Sequence, residues 1–207
     1  KIVRRMYVTR PEMSSIADAE PRYYTLLRSG VGQEVSLITT ANPSSTIALA
    51  EIGQRHCERL IRDVRDGTFT PPGEIPVSLR KPLRFRPNAQ LARRMEEGIR
   101  RDGQLFPRHF WNLVFLCNWT GGTLQLYLRR LRELYGDLPI RDIGLLASEG
   151  RFSLPLEDHT SAGVAEILGN FLEFIPAEYA DQPSPPTLRA HELDVGGEYV
   201  LVVTNFA

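Results

Sequence analysis

Lysine is nearly missing from this chain: only Lys1 and Lys81 stand among its 25 basic residues, the other 23 being arginine. Excess charge is missing too, because 25 acidic residues bring the formal net charge to zero. Long-range attraction to nucleic acid or to an anionic membrane therefore gets no support from the total, and neither is an expected partner. The two cysteines, Cys57 and Cys117, lie far apart among apolar neighbours, which excludes a disulfide framework and predicts buried free thiols in a reducing compartment. No apolar run approaches the roughly 20 residues of a membrane-spanning helix. No basic, apolar, small-residue leader opens the chain, so a cytoplasmic location is expected.

What is present is an ordinary globular balance, with 42% hydrophobic and 24% charged residues in 207. That length suits one large domain or two small ones and is enough to bury a core. There is no internal repeat and no low-complexity tract. The closing run from Glu198 to Ala207 (EYVLVVTNFA) reads as a buried strand without a following turn or polar tail, which predicts a piece of a longer chain.

Gln33 to Thr40 is a short β-branched run, followed directly by turn and cap residues at Asn42-Pro43-Ser44-Ser45. Leu49, Ile52, His56, Leu60 and Val64 then recur at spacings of three and four, which predicts one helix ending at Asp66-Gly67, with His56 packed on its apolar stripe. Five prolines between residues 67 and 87 mark a linker or extended loop. Leu91, Met95 and Ile99 predict a helix from Asn88 to Gly103. Asn112 to Trp119 reads as a strand, Leu124 to Tyr135 as a helix stopped by Gly136, and Ile140 to Ala147 as a third strand, together a βαβ unit with a right-handed crossover. Beyond Gly150 come short β-type pieces at 151–156, 163–168, 171–175, 188–193 and 199–206, with a proline-containing loop at 180–187.

Two small-residue turns are thereby expected at the carboxyl ends of neighbouring strands, the edge where open α/β sheets bind ligands. One is Thr120-Gly121-Gly122 and the other Ala147-Ser148-Glu149-Gly150. Glycine there lets backbone approach a ligand, Ser148 offers a hydroxyl, and Glu149 offers a carboxylate of the kind that holds magnesium together with a phosphate oxygen. Taken by itself, Ser148-Glu149-Gly150 is a weak signal, and a plain left-handed turn with a capping serine accounts for it better.

The motifs that carry a resemblance are Trp119-Thr120-Gly121-Gly122, the run 131–136 (LRELYG), the run 139–150 (PIRDIGLLASEG), the run 171–176 (FLEFIP) and the run 197–204 (GEYVLVVT). In this order they resemble the Gretchen Hagen auxin-responsive family of acyl-acid amido synthetases, from about residue 112 to the end of the chain. Met6-Tyr7-Val8 and the run 36–40 (SLITT) extend the likeness weakly toward the start. The resemblance implies an adenylate-forming enzyme that activates a carboxylic acid with ATP and passes the acyl group to an amino acid. It implies an α/β fold: the central piece of the large N-terminal domain, a mixed sheet with flanking helices and a β-rich C-terminal part. Residues 1–207 would then be a partial nucleotide-binding domain, helical and linker-rich over 1–111, βαβ over 112–150 and β-rich over 151–207. By the same resemblance Ala147, Ser148, Glu149 and Gly150 bind nucleotide, with Ser148 by the α-phosphate and Glu149 catalytic through Mg2+. Gly121 and Gly122 line the nucleotide turn, and Trp119 and Thr120 face the substrate. Two departures stand. The family's Ser/Thr-rich phosphate loop has no counterpart before Ser148, since Ser14-Ser15 and Pro43-Ser44-Ser45-Thr46 lack the glycine-threonine context, and it is expected upstream. Neither Lys1 nor Lys81 has the setting of the adenylation lysine, which is expected in a C-terminal domain outside this chain.

Three other readings compete. Arg80, Lys81, Arg84, Arg86, Arg93, Arg94, Arg100, Arg101 and Arg108 crowd one stretch, as in a nucleic-acid-binding module, but Glu96, Glu97 and Asp102 interrupt it. A hydrolase could pair Glu149 with Glu173 or Glu157, although His159, His109 and His191 lack a nucleophile motif beside them. A noncatalytic scaffold of the same fold is the third.

Overall fold

The computed structural model describes residues 7–80 and 83–205. Lys1, Met6, Lys81, Pro82, Phe206 and Ala207, on which parts of the expectations above fall, lie outside the described residues. The chain divides into two compact units, the first ending at Asp142 and the second beginning at Ile143.

In the first unit a 3-10 turn at Pro11–Ser15 leads into helix α1 (Ala19–Gly30). Strand β1 (Leu37–Thr39) follows and feeds helix α2 (Pro43–Arg55). The junction is built as the sequence suggests. Pro43 sits in the first turn, where its missing N–H costs nothing, and the Asn42 side chain accepts from Ser44 N at 2.9 Å. The single helix expected to run on to Asp66 is two. At His56 the backbone leaves helical torsions (φ −112°, ψ 29°), and α3 (Cys57–Asp66) starts anew. The imidazole at the break is tethered sideways, its Nε2 2.8 Å from Glu20 Oε1 and its ring edge-on to Tyr24. His56 is thus packed, as its place on the stripe predicts.

Among the described residues between Gly67 and Pro87 there is one short helix, α4 (Val77–Arg80), whose Leu79 forms a small separate cluster with Ile16 and Ile75. Helix α5 (Ala89–Asp102) keeps its expected limits: Asn88 Oδ1 accepts from Leu91 N, and Gly103 closes the other end in the left-handed conformation. It packs on α3 through Met95 and Leu60, both fully buried and each worth about 1.5–3 kcal/mol of apolar transfer. Strand β2 (Phe115–Cys117) precedes a 3-10 segment at Gly122–Tyr127, helix α6 (Leu128–Tyr135) and strand β3 (Ile140–Arg141). The helix expected over 124–135 is therefore 3-10 in its first third. The three strands form a parallel sheet in the order β1-β2-β3, with Ile38 opposite Leu116 and Leu116 opposite Ile140 at its buried centre.

The third strand corrects an expectation. It stops at Arg141 instead of reaching Ala147, because the Asp142 side chain turns back to Thr120 and Gly144 takes a φ of +83° that an extended ladder cannot hold. The second unit then builds three two-stranded antiparallel pieces. These are β4 (Leu146–Ala147) with β5 (Gly150–Arg151), β6 (Ser153–Leu154) with β7 (Val164–Ala165), and β8 (Phe171–Pro176) with β9 (Tyr199–Thr204). The strand expected over 188–193 is only a bridge from Leu188 to Phe174, followed by a 3-10 turn at Ala190–Glu192. The mixed α/β architecture with a β-rich C-terminal part stands as expected.

Candidate functional site

Polar side chains gather at the carboxyl edge of the parallel sheet. Thr40 follows β1, Asn118 and Thr120 follow β2, and Asp142 follows β3. Asn118 is fully buried, and its Nδ2 donates to Thr40 O at 3.0 Å, Thr40 Oγ1 at 2.7 Å and Thr46 Oγ1 at 3.0 Å. Thr46 lies in α2 and its carbonyl accepts from the Tyr135 hydroxyl of α6 at 2.7 Å, so both helices are knitted to the strand ends. Burial pushes the Tyr135 phenol well above its ordinary range, keeping it a donor. The one unmatched atom in this knot is Asn118 Oδ1, which has no partner among the described residues.

Beyond Asn118, Trp119 is half-buried with its N–H on Ala41 O at 3.0 Å. Thr120 donates twice to one carboxylate oxygen, its N–H reaching Asp142 Oδ2 at 2.6 Å and its hydroxyl at 2.8 Å. Only 3% of Thr120 and 4% of Asp142 are exposed. The chain then turns outward through Gly121 and exposed Gly122, whose φ of +57° has no Cβ to strain it. The Trp119–Gly122 turn is therefore where the sequence reading put it.

The other sequence-selected turn is elsewhere in the topology. Ala147 pairs with Gly150 in the β4–β5 hairpin, and Ser148 and Glu149 form its tip. They belong to the second unit and do not end a strand of the parallel sheet. Ala147, Ser148 and Glu149 are exposed, Gly150 is partly covered, and Asn205 Nδ2 donates to the Glu149 carbonyl at 2.9 Å. The hairpin base is tied down where Phe152 N meets Leu145 O and the Ser153 hydroxyl accepts from Leu145 N. An oxygen donor at a turn, open to water, fits a hard divalent cation that keeps most of its waters. No group of three or more His, Cys, Asp or Glu that could hold a metal by itself occurs among the described residues.

The remaining charged clusters are structural. Asp63, fully buried, accepts from the Tyr24 hydroxyl at 2.7 Å, Thr68 Oγ1 at 2.6 Å, Thr70 N at 2.8 Å and Thr70 Oγ1 at 2.9 Å. Burial alone would raise its pKa, but these donors outweigh it and hold the carboxyl below the usual range. Asp102 collects Arg101, Arg108 and His109, and Arg94 is held by Arg108 O and Asn112. Three of the nine basic residues of that stretch, Arg94, Arg101 and Arg108, are thus engaged within the fold. His109 Nδ1 accepts from Phe106 N–H, so its proton sits on Nε2 toward Asp102 and the ring offers no free base. His159 is exposed at a positive φ of 62°. Cys57 and Cys117 form no disulfide, as expected, but both are only partly buried where the sequence predicts buried thiols.

The parallel sheet with flanking helices, continued by antiparallel β-pairs, defines a class: the fold of acyl acid amido synthetases. A solved GH3.15 acyl acid amido synthetase superposes with a TM-score of 0.74 over 96% of this chain and 37% of that one, at 18% identity. The AtGH3.15 acyl acid amido synthetase in complex with 2,4-DB gives 0.73 over 92% and 34%, at 20% identity. Family models place the membership more closely. Residues 1–140 match the GH3 family N-terminal domain and residues 165–207 the GH3 family central domain, so the chain belongs to the GH3 family. Among curated relatives, the jasmonoyl–L-amino acid synthetases JAR4 and JAR6 of Nicotiana attenuata are 28% identical over 186 residues and 27% over 191. Each alignment covers 84% of this chain and 32% of the relative, so the chain spans about a third of the length of the relatives it matches.

Sequence reasoning missed Asn118 and Asp142. For Asn118 a signal was available, a polar residue directly after the apolar run 113–117, at the end of a strand where ligands bind; Asp142 follows Ile140-Arg141 and fell inside the strand read over 140–147, so nothing local marked it.

Proposed function

We propose that the complete protein is an ATP-dependent acid–amino acid ligase: it adenylates a carboxylic acid and transfers the acyl group to an amino acid. The observation that carries this reading is membership of the GH3 family across both units, together with the names of the curated relatives. In this reading the present chain is part of the nucleotide-binding region and is inactive alone, since the phosphate loop and the adenylation lysine come from segments outside it. The protein works in the cytoplasm and needs neither nucleic acid nor membrane.

The chemistry assigns roles one residue at a time. Attack of a carboxylate on the α-phosphate brings two anions together, so donors must meet charge that grows in the transition state. The Ser148 hydroxyl and the backbone of Ala147 and Gly150 meet the α-phosphate, and Gly121 and Gly122 let backbone approach the nucleotide. Trp119 and Thr120 bound the acyl substrate. Glu149 would hold Mg2+ beside the nucleotide's phosphates; bound there, the ion would supply charge neutralisation to the departing pyrophosphate. The test is acid-dependent ATP–pyrophosphate exchange by the full-length protein over a panel of indole, jasmonate-like, benzoate and fatty acids, followed by amide formation for the hits. Exchange with at least one acid and an amide product is expected; no exchange with any acid contradicts the reading.

A further inference from the structure

We infer that Asp142 is the positioning residue of the substrate turn, fixing the Thr120–Gly122 backbone in the shape that receives nucleotide and acyl acid. The inference rests on the adenylating reading above and names a residue that reading does not use.

Its grounds are geometric. Asp142 follows β3 as Thr120 follows β2, and the two strands are neighbours in the parallel sheet. The carboxylate Oδ2 takes both the N–H and the hydroxyl of Thr120, at 2.6 and 2.8 Å, with both residues buried. Two donors from one residue to one carboxylate oxygen fix the peptide plane between Trp119 and Thr120 and the Thr120 side-chain rotamer together, and hydrogen bonds of this length to a carboxylate are the strong ones. The next two residues are glycines, which hold no shape of their own, and Gly122 is exposed. The turn is anchored on both sides: Leu124 N donates to the Gly121 carbonyl at 3.2 Å on the far side, and the Thr120 clamp holds the near side. The Asp142 carboxylate is also spent on Thr120 at the point where a longer β3 would continue, so the clamp and the early end of β3 are one feature.

A lost clamp lets the turn wander by a fraction of an ångström, and misplacement on that scale weakens binding at the turn without removing a reacting group. In the full-length protein, Asp142→Ala is expected to raise KM for ATP and for the acid by about tenfold while changing kcat and the amino acid KM far less. Asp142→Asn, which keeps an oxygen at the same place, is expected to restore most of the loss. Thr120→Val, which deletes only the hydroxyl donor, serves if Asp142→Ala does not fold and is expected to shift the same two KM values by several-fold. Unchanged KM for ATP and acid in folded Asp142→Ala or in Thr120→Val overturns the inference alone, the wild type still exchanging. Equal losses in all three KM values and in kcat overturn it as well, since they mark a general structural role. Absence of exchange in the wild type removes the underlying reading first and this inference with it.

Discussion

Asp63 is the residue on which the helical layer of the first unit turns. Its carboxylate joins Tyr24 of α1 to the Thr68–Thr70 loop, while its carbonyl accepts from Arg28 Nη2 at 2.9 Å. Deleting it strands the buried Tyr24 hydroxyl and breaks three bonds to the Thr68–Thr70 loop, so Asp63→Ala should lower stability by about 3 kcal/mol, read as a fall in the denaturant midpoint. The pH dependence has a definite sign. The folded carboxyl is held below its ordinary value, so its contribution is complete above the unfolded pKa of about 3.9 and is lost as pH falls through the folded value. Acidification below about pH 4 should lower the wild-type midpoint, and Asp63→Asn should flatten that part of the curve. None of this was legible in the sequence, because an aspartate one turn from a helix end reads as solvated or capping. Only the fold brings residues 24, 63, 68 and 70 together.

At the scale of elements, legibility followed local chemistry. The limits of α5 were readable because Asn88 and Gly103 act on their own neighbours, and the start of α2 was readable from Asn42-Pro43 for the same reason. The break at His56 was not, since its tether is Glu20, 36 residues away. Helix α1 was missed altogether: its buried side includes Thr25, Arg28, Ser29 and Gly30 beside Tyr24 and Leu27, so no clean apolar stripe marks it. Half of the candidate site suffered likewise. The Trp119–Gly122 turn stands at a sheet edge as the strand pattern implied, whereas Ser148-Glu149 sits on a hairpin because β3 ends early. Helix α5 offers a direct test of tertiary fit over propensity. Alanine is a better helix former than glycine, yet a Cβ at Gly98 would collide with the His109 ring, itself locked by Phe106 and Asp102. Gly98→Ala should therefore destabilise by about 1–3 kcal/mol, and a rise in thermal midpoint would contradict this packing.

For the whole molecule, charge and family point the same way. With zero net charge and Arg101 and Arg108 both bound to Asp102, retention on heparin should be weak. Tight retention that falls steeply with salt would instead favour a nucleic-acid role. In the proposed function, the hairpin carboxylate Glu149 would serve the metal-bound nucleotide of an adenylating enzyme. The most direct test is acid-dependent ATP–pyrophosphate exchange by the full-length protein carrying Glu149→Ala, beside wild type at saturating Mg2+. Glu149 is an exposed hairpin-tip residue, so the variant should fold as wild type does, and the account predicts that exchange is abolished. Near-normal exchange in that folded variant would contradict it.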